Sequence, residues 1–127
     1  MFMTPSVSEI DVRTAKKWID SGEAIMIDIR ETEEWNQERV PGVDLLPLSA
    51  FNPALVPSED KGRLLILCRS GRRAEMLAQA MAAQGLHKSP VVVAGGILAW
   101  RAEGLPIESG APKHARFSVI QGGKAVA

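Results

Sequence analysis

A single cysteine followed by a short loop rich in arginine is the part of this sequence that could do chemistry. Cys68, the chain's only cysteine, directly follows the apolar run from Leu64 to Leu67. The residues that follow it are Arg69, Ser70, Gly71, Arg72 and Arg73. A thiol between the end of a strand and the start of a helix lies where backbone N–H groups converge and the helix dipole favours negative charge. The pattern predicts that Cys68 is a nucleophile, held as a thiolate and reachable from water.

The loop after Cys68 predicts an anion site around the sulfur. Gly71 lets the backbone curl its N–H groups inward, because glycine brings no side chain into the curl. Arginine stays charged and can bind an oxyanion. We expect the loop from Arg69 to Arg73 to bind substrate, with Arg73 also hydrogen-bonded to backbone carbonyls and Ser70 either donating to the sulfur or suiting the turn. An anion bound here could pass a sulfur to Cys68, which would hold it as a persulfide until a second nucleophile removed it.

A buried core cysteine is the alternative interpretation of Cys68, because free cysteines are among the most buried residues. The three guanidinium groups that follow it argue against a dry core site. No metal is expected either, because His87 and His114 lack the spacing of metal ligands. The chemistry above needs no cofactor.

Composition limits the partners and the compartment. Fifteen basic and fifteen acidic residues cancel in a chain of 127 residues, so no global field would attract nucleic acid or an anionic membrane. One cysteine allows no intrachain disulfide and fits a reducing compartment. No leader or membrane-spanning run is visible. We therefore expect a cytoplasmic protein, although a removed export signal stays open.

Apolar runs alternate with amphipathic segments along the chain. Buried strands are predicted at 24–28, 43–46, 63–67 and 90–94. Helices are predicted after the caps Asp11 and Thr32, over 72–84 and from Gly95-Gly96 to about Glu103, and Ser49 is expected to cap a brief helical turn. The apolar face of the helix over 72–84 is assigned to Met76, Leu77, Ala80, Met81 and Ala83.

This order predicts an α/β domain over residues 1–109, with a mainly parallel sheet and helices on both faces. Ligands bind outside the carboxyl ends of the strands in such sheets. Cys68, Asp28 and Gly95-Gly96 all follow predicted strands, so we expect them to converge. Residues 110–127 are predicted to be a C-terminal tail, partly mobile or packed on the domain, with a linker at 111–114 and a small strand at 117–120.

Four segments, in order, resemble the motifs of the rhodanese-like domain, a single-domain sulfurtransferase. The segment from Ile27 to Trp35 resembles "D-x-R … E-[FYW]", and Arg39 to Val43 resembles "H-I-P-G-A". The segment from Leu67 to Ala74 resembles the active-site loop "C-x-x-G-x-R-[SA]". Gly95 to Ile107 resembles "G-G-x-x-x-W … G-[LY]-P-[IV]". The resemblance covers residues 5–108, and Arg39 stands where the family usually has histidine, with little chemical effect expected.

The resemblance implies a sheet of about five parallel strands and a thiosulfate sulfurtransferase that forms a persulfide on Cys68. The donor would be a small anion such as thiosulfate, and the acceptor cyanide or a thiol, with thioredoxin and glutathione both open. Asp28 and Arg30 would support the edge of the site, either as an ion pair at the pocket rim or as an ordinary loop salt bridge. A persulfide carrier that serves protein partners, docked by the tail, is the alternative.

Loop length separates two chemistries among proteins of this fold. Relatives that handle phosphate or arsenate have five residues between the cysteine and the arginine, whereas four separate Cys68 from Arg73. The resemblance therefore favours sulfur transfer over a phosphatase or an arsenate reductase.

Overall fold

A five-stranded parallel sheet forms the centre of the protein, which is described from a computed structural model over residues 7–87 and 89–110. Its strands are β1 (Ser8–Ile10), β2 (Ala24–Asp28), β4 (Asp44–Leu45), β5 (Arg63–Leu67) and β6 (Val91–Val93). Their order in the sheet is β1-β6-β5-β2-β4, with every neighbouring pair parallel. This confirms the predicted fold class, and β5 lies in the middle of the sheet.

Residues 7–87 and 89–110 form four helices: α1 (Val12–Asp20), α2 (Thr32–Gln37), α3 (Arg72–Ala83) and α4 (Gly96–Ala102). Two short strands, β3 (Glu38–Arg39) and β7 (Glu108–Ser109), form a separate antiparallel pair. Short 3-10 turns lie at Leu48–Ala50, Pro53–Leu55 and Glu59–Lys61. No helix in the described part of the chain is long and apolar enough to cross a membrane.

The two faces of the sheet carry separate apolar clusters, because successive side chains of a strand point to opposite faces. Leu65 and Leu67 of β5 pack with α1 and α4. Leu64, Ile66 and Cys68 belong to the cluster that includes α3. The helices therefore cover both faces, as predicted, and the alternation along β5 places Cys68 on the α3 side.

Several local predictions differ from the structure. The N-cap of α2 is Glu31 rather than Thr32, because Glu31 and Glu34 form a reciprocal capping box. Ser49 lies inside its 3-10 turn rather than capping it. The strands β1, β3 and β7 were not predicted, since two- and three-residue strands leave little periodic signal. The predicted linker and strand in the tail lie outside the described residues.

The buried face of α3 was predicted only in part. Met81 is buried and Leu77 packs against the same cluster, as predicted, whereas Met76 is 66% exposed. The other buried residues are Ala74 and Ala78, which share the helical spacing of three and four with Met81. The N–H of Ala74 lies 3.4 Å from Cys68 Sγ, so the first turn of α3 faces the cysteine.

Candidate active site

Two backbone amides converge on the sulfur of Cys68 at the carboxyl end of β5. The N–H of Gly71 donates to Sγ at 3.0 Å, and the N–H of Ala74 donates at 3.4 Å. Gly71 has a φ of +103°, a left-handed conformation that glycine adopts without strain. The loop therefore curls around the sulfur and continues into α3, so donors from the loop and from the first helical turn face the same atom.

Cys68 is only 1% exposed, so the prediction of a sulfur reachable from water is wrong for this conformation. The loop and the first turn of α3 lie over the thiol, and Cys68 shares an apolar cluster with Ile29, Ile66 and Ala74. The sequence does not show this cover, because polar loop residues can enclose a side chain with their backbone alone. The sulfur has an apolar side toward the core and a hydrogen-bonding side toward the loop.

The polar side chains of the loop fall into two groups. Arg69, Ser70 and Arg72 are exposed, and within the described residues none of the three forms a side-chain hydrogen bond or an ion pair. Arg73 instead donates from Nη1 and Nη2 to the two carboxylate oxygens of Glu34, each at 2.8 Å. The prediction that Arg73 binds backbone carbonyls is therefore wrong: its partner is a carboxylate on α2.

The Arg73–Glu34 pair changes the charge at the mouth of the loop. The bidentate hydrogen bonds from Arg73 lower the pKa of Glu34 from 4.5 to about 2, and the N–H of Glu31, donating at 2.9 Å, acts in the same direction. The hydrogen bond to Glu34 in turn raises the pKa of Arg73, and the nearby Cys68 adds to that rise. Arg73 is thus a fixed cation close enough to the thiol to interact with it electrostatically.

Asp28 and Arg30 form the predicted ion pair, but it is buried rather than placed at a rim. Their side chains are 0% and 3% exposed, and Arg30 Nη2 lies 2.8 Å from Asp28 Oδ2. Burial raises the pKa of the Asp28 carboxyl, and the hydrogen bonds from Arg30 oppose that rise. Arg30 also donates to the carbonyls of Glu38 at 2.8 Å and Glu34 at 3.4 Å. The pair therefore reaches the site through α2.

Two residues that hold the elements around the cysteine loop, Glu34 and Arg39, were not assigned a role from the sequence. Glu34 lies in the segment that resembles "D-x-R … E-[FYW]", but its partner Arg73 is 39 residues away, so no local pattern indicates the pair. Arg39 is 2% exposed and donates to Glu108 Oε1 at 2.9 Å, the Trp35 carbonyl at 2.7 Å and the Gly110 carbonyl at 2.6 Å. It fixes residues 108–110 against α2, a contact between distant segments that no local pattern indicates.

The turn between β6 and α4 also contacts the cysteine, as expected from the position of Gly95-Gly96 after a predicted strand. The N–H of Ile97 donates to the Cys68 carbonyl at 2.9 Å, and the N–H of Leu98 donates to the Arg69 carbonyl at 3.2 Å. Within residues 7–87 and 89–110, no group of three or more His, Cys, Asp or Glu side chains is arranged to hold a metal ion.

Comparison with known proteins gives one consistent family. Residues 11–103 match the model of the rhodanese-like domain. The chain is 36% identical over 91 residues to "Putative sulfur carrier protein YrkF" of Bacillus subtilis, covering 71% of this chain and 49% of that protein. It is 32% identical over 103 residues to a protein of Allochromatium vinosum named "Sulfurtransferase", covering 80% of this chain and 94% of the relative.

A solved structure of a sulfurtransferase has a similar fold. A thiosulfate sulfurtransferase from Pseudomonas aeruginosa superposes with a TM-score of 0.65 at 28% identity, covering 85% of this chain and 20% of that one. The chain thus spans about half the length of YrkF and a fifth of the Pseudomonas protein.

Proposed function

Because this chain belongs to the rhodanese-like domain family as a sulfurtransferase-type domain, we propose that it moves a sulfane sulfur from thiosulfate or a similar donor to a thiophilic acceptor. Cys68 carries the sulfur between the two as a persulfide. The observation that carries the proposal is the pair of amides, from Gly71 and Ala74, that donate to Cys68 Sγ. Donors in this arrangement stabilise a thiolate or a persulfide anion. An inert thiol in the core would need no such donors.

The first half-reaction is a displacement at sulfur. The Cys68 thiolate attacks the sulfane sulfur of thiosulfate and forms the Cys–S–S⁻ persulfide. The sulfur–sulfur bond of thiosulfate breaks, and sulfite leaves with its electron pair. In the second half-reaction an acceptor such as cyanide or a thiolate attacks the outer sulfur, and Cys68 departs as the thiolate. Neither half-reaction requires a proton transfer or an external oxidant.

The loop side chains have different parts in this proposal. Arg69 and Arg72 are exposed beside the cysteine, so they attract and orient the anionic donor, and Ser70 lies between them. Arg73 contributes positive charge while its guanidinium stays bound to Glu34. Asp28 and Arg30, being buried and paired, act by holding α2 rather than by touching the donor.

The burial of Cys68 makes access the sharpest test of this function. Intact mass after thiosulfate treatment is expected to rise by one sulfur atom in the native protein and to stay unchanged in Cys68→Ser. Cys68→Ser is also expected to abolish thiosulfate:cyanide activity. Iodoacetamide is expected to alkylate the native protein, and prior thiosulfate treatment to slow that reaction. If Cys68 of the native protein reacts with neither thiosulfate nor iodoacetamide, yet reacts fully with iodoacetamide in urea, Cys68 is an inert core residue and the proposed function is wrong.

A persulfide carrier for protein partners is the second candidate function. The similarity to YrkF and the 1% exposure of Cys68 favour it, because a partner that opens the loop would deliver sulfur faster than a free anion. The experiment compares turnover on thiosulfate with transfer from a persulfide-loaded cysteine desulfurase. Faster loading from thiosulfate supports the enzyme, and faster loading from the desulfurase supports the carrier.

The physiological acceptor and compartment are part of the same proposal. Glutathione, thioredoxin and cyanide all offer a nucleophile able to attack the outer sulfur, and a reducing compartment such as the cytoplasm keeps those thiols available. A panel of the three, with the persulfide on Cys68 followed by intact mass, identifies the acceptor by the fastest loss of the added sulfur. Phosphate chemistry is disfavoured by the four-residue spacing, and Cys68-dependent hydrolysis of an aryl phosphate would contradict that.

A further inference from the structure

The start of α4 holds the two carbonyls that open the active-site loop. Ile97 donates to the Cys68 carbonyl at 2.9 Å, and Leu98 donates to the Arg69 carbonyl at 3.2 Å. In a trans peptide the C=O and the next N–H point in opposite directions. Binding these two carbonyls to α4 therefore turns the N–H groups of Arg69 and Ser70 away from α4. It also keeps both carbonyl oxygens, which would repel a thiolate, fixed on the α4 side.

Only glycine fits at position 96, where the turn meets the loop. Gly96 is buried and has a φ of +59°. A Cβ there would lie 2.3 Å from the Arg69 carbonyl oxygen and 2.4 Å from the Cys68 carbonyl oxygen. Both contacts are with backbone, so no flexible side chain could move aside. Any side chain at position 96 would separate α4 from the same two carbonyls that its amides bind.

A second close approach lies on the other side of this contact. A Cβ at Gly71 would lie 3.3 Å from the backbone nitrogen of Gly95. Gly71 is also the residue whose N–H donates to Sγ at 3.0 Å. The β6–α4 turn thus touches the loop at its entry and at its principal sulfur-binding amide.

We propose that Gly96 is a positioning residue for Cys68: it lets the start of α4 bind the loop carbonyls, which holds the loop closed with its amides on the sulfur. The consequence for sulfur transfer rests on the proposed function. The consequence for thiol reactivity does not, because alkylation involves no transferred sulfur.

Gly96→Ala tests this proposal against a matched control, Gly104→Ala. Gly104 also has a positive φ, +73°, but a Cβ there would meet nothing within 4 Å. Both variants carry the strain of alanine in a left-handed conformation, and only Gly96→Ala presses on the loop. The readouts are the pH profile of iodoacetamide alkylation and the rate of persulfide formation from thiosulfate.

Gly96→Ala is expected to change the pH profile of alkylation and to slow persulfide formation by about tenfold or more, roughly one such factor per lost charge-stabilising contact. Gly104→Ala is expected to stay within about twofold of the wild type in both readouts. Equal alkylation profiles for the two variants would overturn the proposal. If the wild type alkylates as expected but forms no persulfide, the proposed function fails while the positioning comparison still stands.

A second pair of variants keeps the test valid if Gly96→Ala does not fold. Leu98→Pro removes the N–H that binds the Arg69 carbonyl, at a position in the first turn of α4 where proline is tolerated. Leu98→Ala removes the same side chain and keeps the N–H. We expect Leu98→Pro to shift the alkylation profile in the same direction as Gly96→Ala and Leu98→Ala to leave it in place. Identical profiles for the two Leu98 variants would overturn the proposal.

Discussion

Two arginine–carboxylate pairs flank α2, and they differ chiefly in their exposure to water. Arg30 and Asp28 approach to 2.8 Å with side chains 3% and 0% exposed. Arg73 and Glu34 approach to the same 2.8 Å with side chains 32% and 28% exposed. The same shortest distance therefore occurs in a buried pair and in a partly exposed pair. Removing one partner of the buried pair leaves a charge in the core and is costly, whereas water can replace either partner of the outer pair.

The two pairs are joined through the backbone of α2. Arg30 donates to the Glu34 carbonyl at 3.4 Å, and the Glu34 carboxylate binds Arg73 of the loop. The buried pair thus fixes the helix, and the outer pair connects that helix to the residues around Cys68. We therefore expect the buried pair to act on stability and the outer pair to act on the reactivity of the site. The variants below test this difference.

Arg30→Ala is expected to cause the largest loss of stability. It leaves the Asp28 carboxylate buried without its cation, and breaking a buried pair in this way costs about 3–5 kcal/mol. The free energy of unfolding from urea titrations, followed by tryptophan fluorescence, measures the loss.

The double variant Asp28→Asn/Arg30→Ala separates lost charge from lost packing. Asparagine keeps an oxygen for the Arg30 backbone N–H, which donates to Asp28 Oδ1 at 2.9 Å, but carries no charge. The double variant is expected to be more stable than Arg30→Ala alone. A double variant no more stable than the single one would show that the cost does not come from the stranded carboxylate.

Arg73→Ala is expected to lower reactivity more than stability, in contrast to Arg30→Ala. Loss of the partly exposed pair lowers the free energy of unfolding by about 1 kcal/mol or less. Persulfide formation from thiosulfate is expected to slow by roughly tenfold, since the fixed cation near the thiol is lost. Arg13→Ala is the control, because it also removes an exposed arginine–carboxylate pair, that of Arg13 with Glu103, but lies outside the cysteine loop. An equal loss of rate in Arg13→Ala and Arg73→Ala would contradict the role given to the paired cation.

The sequence predicts four of the five strands of the parallel sheet, the four helices and the course of the cysteine loop, because each depends on a local pattern. The strand that ends at Cys68 and the glycine that turns the loop are both readable along ten residues, and both are confirmed. The partner of Arg73 was missed because Glu34 lies 39 residues away. The burial of Cys68 was missed because it depends on the amides of Gly71 and Ala74 and on an apolar cluster of several elements, which come together only in the assembled fold.

Glu34→Gln is expected to have the smallest effect, and one that depends on pH. The pKa of Glu34 in the folded protein is about 2, below its ordinary 4.5. A depressed carboxyl pKa stabilises the fold above the ordinary pKa, and this contribution disappears as the pH falls through the folded value. Glutamine retains the capping oxygen at the start of α2. The free energy of unfolding of the wild type should therefore exceed that of Glu34→Gln by less than about 1 kcal/mol at neutral pH. This difference should shrink as the pH falls from 4.5 toward 2.

Glu33→Gln is the matched control, because Glu33 lies in the same helical turn and its side chain is exposed. Unfolding of all three proteins at several pH values isolates the contribution of the Arg73 pair, since every other carboxyl is common to them. A Glu34→Gln difference that stays constant down to about pH 3 would mean that the carboxylate is not held ionised by Arg73. The outer pair would then resemble the buried one in being a purely structural link, and the contrast in burial would lose its functional meaning.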